Sequence, residues 1–448
     1  MCAAMDLPYL TPDLPGIGGV IKERPEDFFV QELPLYQPSG QGEHVYCEIQ
    51  KVGMSTFDAV DRMARALNVP RFDIGYAGMK DAQAVSRQLF SILGTTEEAV
   101  SALTIPNITV QWVARHGNKL RLGHLAGNRF AIKIRQVSPT DVLKVTPIVE
   151  ILKTRGMPNY FGEQRFGRRQ DNHLLGAAFV RGDNKTILHL LLGSPRADID
   201  QPDAVAARTA FDAGDLKTAM RDFPRQSGIE RRALHRFVQS RRPGAAVRTV
   251  DQRLKRLWVS ALQSSLFNQV VAARIASIGQ VRNGDLAFKH ENGAVFLVQD
   301  AAAEQGRAEA FEISPTGPQL GYRMTMPEGE PLRIEQEVMT AAGLAPADLR
   351  VAGRLKVKGA RRPLRVRPMD VELAAGVDGH GAHITAAFTL PAGSYATMFL
   401  REVMKGGTRD EESERRRDEV EEGDDAEDEA GEDVAPGRGP PDGHPAAS

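Results

Sequence analysis

The sequence predicts a mixed α/β (α+β) chain in which one sheet-bearing part is interrupted by a helical segment and followed by an acidic tail. Three observations predict it. The first 135 or so residues mix strand and helix patterns. The middle turns to long helical periods crowded with arginine, and strict alternation returns near residue 383. The two sheet-like ends are compatible with pairing across an inserted middle, which periodicity alone does not establish.

Each element has a local reason. In His44–Val52, Val45, Cys47 and Ile49 share one face and Tyr46, Glu48 and Gln50 the other, the period of a half-buried strand. Ser55, Thr56, Phe57 and Asp58 read as a helix start. Phe57, Val60, Ala64 and Leu67 continue at helical spacing, and Pro70 closes the segment. Arg129–Arg135 alternates again, with Phe130, Ile132 and Ile134 opposite Arg129, Lys133 and Arg135, a basic face open to phosphate or to water. The Arg253–Ile275 segment carries a stripe of Leu254, Leu257, Ala261, Leu262 and Leu266. Arg225, Arg231, Arg232, Arg236, Arg241, Arg242, Arg253, Lys255 and Arg256 lie before and within it. In His383–Leu390, Ile384, Ala386, Phe388 and Leu390 share a face. Pro391–Gly393 is a turn, and Ser394 can cap a last helix ending at Gly406 and Gly407.

Composition narrows the class. The 448 residues suffice for two domains and a tail, and the 42% hydrophobic content is ordinary for a globular chain. Cys2 and Cys47 are the two cysteines, too few for a disulfide scaffold or a four-cysteine zinc site, and they fit a reducing compartment. The N-terminus lacks the basic, apolar run of a signal peptide, and no apolar stretch is long enough to span a bilayer, so a cytoplasmic location is expected. The net charge of −1 conceals a polarised chain. Residues 406–448 hold 16 acidic and 5 basic side chains, leaving 52 basic and 42 acidic in the rest. A basic body suits a polyanion, and the acidic tail, poor in large apolar residues, is expected to be disordered.

Three stretches could carry chemistry. Gly75–Asp81 (GYAGMKD) supplies small residues for a tight bend ending at Asp81, beside Lys80. A carboxylate next to a cation in a cleft stays ionised, as a nucleophile must. The plainer reading makes Asp81 the cap of a helix starting near Ala82. In Asn159–Gln170 (NYFGEQRFGRRQ), aromatics alternate with Arg165, Arg168 and Arg169. Such residues stack on bases and pair with phosphates, or else form a buried aromatic turn with an arginine fringe. Lys22–Val30 (KERPEDFFV) combines charges with a phenylalanine pair. No HExxH, CxxC, GxSxG or Walker sequence occurs, so no metal site, acyl-transfer elbow or phosphate-binding loop is expected.

Taken together, these stretches resemble the TruD family of pseudouridine synthases. The resemblance runs in order through KERPEDFFVQE (22–32), GEHVYCEIQKVGMST (42–56), YAGMKDAQAVSRQLFS (76–91), KLRLGHLAGNRFAI (119–132), MPNYFGEQRFG (157–167), SALQSSLFNQ (260–269) and LPAGSYAT (390–397). It implies a discontinuous catalytic domain with a central antiparallel sheet (1–158 and 363–405) and an inserted family-specific domain (159–362). The acidic tail, 406–448, lies outside the resemblance. It implies an enzyme that turns uridine into pseudouridine in tRNA, at uridine 13, without a cofactor and as a monomer. Asp81 falls on the family's nucleophile, and Phe28 and Asn128 on substrate-site residues. Tyr395 stands where the family usually has phenylalanine. Lys22, or else Lys80, would pair with Asp81, and Arg165, Arg168 and Arg169 would contact RNA. A non-catalytic RNA-binding protein on the same scaffold is the alternative.

Overall fold

The computed structural model describes residues 7–344, 348, 355 and 357–405; the expected tail, 406–448, lies outside the described residues. The chain divides into two compact units. Among the described residues, one is built from Tyr9–Met157 and 366–405, the other chiefly from Pro158–Arg365.

The alternating segments of the first unit join one eight-stranded sheet. Its order is Met369–Asp378, Gly381–Pro391, Leu125–Arg135, Phe28–Pro34, Val85–Ile92, His44–Val52 and Ile108–His116, with Ile74–Tyr76 also paired to Val85–Ile92. Phe28–Pro34 runs parallel to Val85–Ile92, and the other pairs are antiparallel. The C-terminal hairpin therefore adds to the N-terminal strands, with Ile384 opposite Ile134 and Phe388 opposite Phe130. The sheet is mostly antiparallel, as the family resemblance implies.

Packing follows the alternation. Val45, Cys47 and Ile49 are buried against Ala59, Val60 and Met63 of the helix Thr56–Leu67. That helix begins with a full capping box. Ser55 Oγ accepts the Asp58 N–H at 3.1 Å, and the Asp58 carboxylate accepts the Ser55 N–H at 3.1 Å. Such caps contribute on the order of 1 kcal/mol. On the hairpin side, Phe130, Phe388 and Phe399 form a continuous aromatic stack, the last pair at 4.1 Å between ring centres. Phe399 belongs to the terminal helix Ala396–Met404, whose cap position is Tyr395, one residue later than the expected Ser394.

The basic face expected on Arg129–Arg135 does not form as such. Arg135 is buried, its Nε donating to Asp27 at 2.7 Å and its Nη1 to Asp378 at 3.0 Å, and Lys133 pairs with Asp378 at 2.7 Å. A strand in mid-sheet places alternate side chains under neighbouring segments. Those segments bring the acids that local sequence cannot show.

The second unit is helical around Gln252–Arg274, whose buried residues include Trp258, Leu262, Leu266 and Phe267. Helix Asn172–Val180 lies so close that a Cβ on Gly176 would fall 2.1 Å from the Trp258 carbonyl oxygen, so only glycine fits. A four-stranded sheet, ordered Ala360–Pro363, Ile313–Gln319, Leu286–Lys289 and Val295–Leu297, completes the unit. Among the described residues no helix is long and apolar enough to cross a membrane.

Candidate active site

Asp81 does not cap a helix. Residues 81–84 form a turn that leads directly into the strand Val85–Ile92, which excludes the plainer reading of this aspartate. The turn is braced from below. Thr56 Oγ1 accepts the Lys80 N–H at 2.9 Å and donates to Gln88 Oε1 at 3.1 Å, while Gln88 Nε2 donates to the Gly78 carbonyl. Both Thr56 and Gln88 are buried, so these bonds are shielded from competing water. Asp81 Oδ1 accepts the Gln83 N–H at 3.0 Å, which orients the carboxylate.

The other carboxylate oxygen faces a lysine. Lys22 Nζ stands 2.5 Å from Asp81 Oδ2. The lysine side chain is 7% exposed and the aspartate 38%. Lys22 reaches there from a left-handed backbone (φ 58°), two residues after Val20 exchanges hydrogen bonds with Arg135. A non-glycine residue in that region carries strain that the surroundings must hold, and such residues gather at functional sites. Of the two lysines proposed from sequence, Lys22 makes the ion pair.

Lys80 turns the other way. Its Nζ lies 2.7 Å from Glu32 Oε1 and donates to Asn128 Oδ1 at 2.9 Å. Burial pushes the Glu32 carboxyl up from its ordinary range, and the Lys80 ammonium opposes that shift. The second Glu32 oxygen accepts the Leu89 N–H at 3.2 Å. Gly78 makes room for this pair, since a Cβ there would sit 3.0 Å from Glu32 Oε1 and 3.3 Å from Lys80 Nζ.

Register explains the convergence. Asn128 lies opposite Glu32 on one side and Leu390 on the other. Just past Leu390, the Ala392 N–H bonds to the Ala126 carbonyl at 3.0 Å, and the chain turns to start its last helix at Tyr395. Phe28 heads the strand that carries Glu32. It is largely buried, under Lys22 Nζ at 4.9 Å and edge-on to Phe130 at 6.3 Å. Phe28 thus braces the Lys22 chain more than it offers an open stacking face.

Two residues of this neighbourhood escaped the motif reading. Lys51 is fully buried. It donates to the Met54 carbonyl at 2.5 Å and reaches the Asp81 carbonyl at 3.4 Å. Burial pulls its ammonium down to about 8, although the nearby Asp81 charge opposes this. Glu32 is the other. Both had a signal, because Lys51 shares the register of Val45, Cys47 and Ile49, and Glu32 that of Phe28 and Val30. A charge on a core-facing register position asks for a buried partner.

The arginine-rich motif of the second unit divides. Tyr160, Phe161 and Phe166 are buried, so the aromatics form a packed turn and offer no stacking surface. Asn268 of the long helix holds that turn, accepting the Phe161 N–H at 2.8 Å and donating to its carbonyl at 3.0 Å. Arg165 bonds Ser264 and Ser260, and Arg169 pairs with Asp171 and Asp200. Arg168 is exposed and donates to the Ile199 carbonyl at 2.7 Å. Lys255 is buried on the Val250 carbonyl, whereas Arg225, Arg231, Arg232, Arg236, Arg241, Arg242, Arg253 and Arg256 remain exposed.

A mostly antiparallel sheet thus carries a braced, half-open aspartate beside a covered lysine. The family model for tRNA pseudouridine synthase D (TruD) matches residues 4–403, and the chain belongs to that family. Relatives named tRNA pseudouridine synthase D include one from Geobacter metallireducens, 49% identical over 90% of this chain and 98% of its own length. Another, from Geobacter sulfurreducens, is 48% identical over 89% and 97%. A solved structure from Methanosarcina mazei, assigned to the same family, superposes with a TM-score of 0.79 at 28% identity, covering 90% of this chain and 99% of its own.

Proposed function

We infer that this chain isomerises uridine to pseudouridine in tRNA, at uridine 13, with Asp81 as the nucleophile. The observation that carries this reading is a carboxylate held on a rigid turn, charge-paired by a covered lysine and still more than a third exposed. Attack by the Asp81 carboxylate activates the nucleoside through a transient covalent bond, the bond from C1′ to N1 breaks and one from C1′ to C5 forms, and the bond to Asp81 breaks again to return the free carboxylate. C5 loses its proton and N1 gains one, so no electrons are exchanged with a redox partner.

The base must leave its stack to reach Asp81, at a cost of a few kcal/mol that contacts in the pocket must offset. Tyr395, at the mouth of the Leu390 strand, supplies an aromatic face for that purpose. The exposed arginines of the second unit, with Arg168, suit the phosphate backbone, and Arg165 and Arg169 shape the turn that presents it. Affinity should accordingly fall steeply with salt.

The reading is tested by incubating the protein with unmodified tRNA carrying uridine 13 and mapping pseudouridine by carbodiimide labelling and primer extension. A new stop at position 13 with wild type, absent with Asp81→Asn, is the expected result. Binding without any stop across a full set of tRNAs would instead make this a non-catalytic RNA-binding protein.

A further inference from the structure

The Glu32–Lys80 pair is buried next to Asp81 and costs desolvation energy to keep. Its third member explains it. A lysine ammonium has only donors, so the atom of Asn128 that receives Lys80 Nζ must be the carbonyl oxygen. The orientation of the Asn128 amide follows from that chemistry. Glu32 fixes Lys80, Lys80 fixes Asn128 Oδ1, and the Asn128 amino group is left turned away from the pair with its two N–H donors.

We propose that Glu32 and Lys80 act as positioning residues that commit Asn128 to donating, so that the site accepts a base with a carbonyl at C4, as uracil has and cytosine lacks. This rests on the uridine-isomerising reading above. Cytosine carries an amino group at C4, which would set donor against donor and leave both unpaired. The same arrangement suits the rearrangement. Turning uracil about its N3–C6 axis exchanges N1 with C5 and C4 with C2. The polar edge then again presents a carbonyl, an N–H and a carbonyl. One fixed donor can hold the O4 atom before the turn and the O2 atom after it, so the base need not be released to solvent while detached.

The test compares tRNA carrying uridine with tRNA carrying 4-thiouridine at the target position, since sulfur is a poor hydrogen-bond acceptor. Conversion is quantified by chromatography after nuclease digestion. Wild type should lose about tenfold in kcat/KM on the thio substrate, roughly one hydrogen bond. That ratio should collapse toward one in Asn128→Ala and in Lys80→Met. If Lys80→Met does not fold, the double variant Glu32→Gln/Lys80→Met, which leaves no unpaired buried charge, takes its place. A role confined to stability would lower both substrates together and leave the ratio untouched. Asn128→Asp, which keeps a partner for Lys80 but offers an acceptor to O4, should fall at least about tenfold below Asn128→Ala on uridine. An unchanged ratio in the variants, no thio penalty in wild type, or Asn128→Asp matching Asn128→Ala would overturn the proposal. Absence of any product from uridine with wild type would instead strike the functional reading beneath it.

Discussion

Two ion pairs in the same unit look alike on paper and differ in what their surroundings allow. Arg135 meets Asp27 with both side chains at most 3% exposed, and Asp378 takes two further guanidinium donors. Lys22 meets Asp81 with the lysine covered and the aspartate open. The first pair is buried on both sides and ties the strand Leu125–Arg135 to the Asp27 turn and the C-terminal hairpin. The second keeps a carboxylate reachable on a turn held by Thr56 and Gln88. Val20 links the two by pairing with Arg135 two residues before Lys22. The buried pair thus steadies the backbone on which the strained Lys22 depends.

Breaking either pair should separate the two roles. Asp27→Asn removes half of a buried bidentate pair and should cost about 3–5 kcal/mol of stability. Urea unfolding would read this as a lower midpoint, with turnover per folded molecule much less affected. Lys22→Met should change the unfolding free energy by no more than about 1 kcal/mol, because a partly exposed pair contributes little. It should nonetheless lower kcat by about ten- to a hundredfold, since an unbalanced carboxylate is no longer held on its turn. Steady-state kinetics with tRNA, beside the same unfolding curves, would check both.

Lys51 sharpens the comparison by pH. Its ammonium is pulled below the unfolded lysine value, to about 8, so between about 8 and 10 the unfolded chain binds more protons than the folded one. The burial penalty is therefore full below pH 8 and relieved as pH rises. Wild type should gain stability relative to Lys51→Met on going from pH 7 to pH 9.5, and unfolding curves at the two values would show it. Asp378 shifts in the same direction for a different reason. Hydrogen bonds from Arg135 and Lys133 hold its carboxyl well below the usual range, so its contribution is full above the ordinary carboxylate pKa and is lost progressively as pH falls below it.

Much of this architecture was legible because alternation is a local property. The register of Val45, Cys47 and Ile49, the Ser55 capping box and the Ile384–Leu390 face all follow from neighbours in sequence. What escaped depends on distant partners. Nothing near Arg135 announces Asp27 and Asp378, and nothing in the NYFGEQRFG segment announces that Asn268 will bury it. Asp81 was singled out through the family resemblance, since an aspartate after a glycine-rich bend is more often a cap. The turn that distinguishes the two readings is built by Thr56 and Gln88, on separate elements. Lys80 could not be assigned between its partners until Glu32 and Asn128 were seen on paired strands.

The most direct measurement uses tRNA tritiated at C5 of uridine, because isomerisation must release that hydrogen. Wild type and Asp81→Asn would be followed for tritium release, with tRNA affinity and unfolding midpoint measured on the same preparations. The account predicts release by wild type at position 13 and a loss of at least about a thousandfold in Asp81→Asn, with affinity within a fewfold and an unchanged midpoint. Substantial release by Asp81→Asn at normal affinity would contradict it, and the nucleophile would have to be sought elsewhere in the chain.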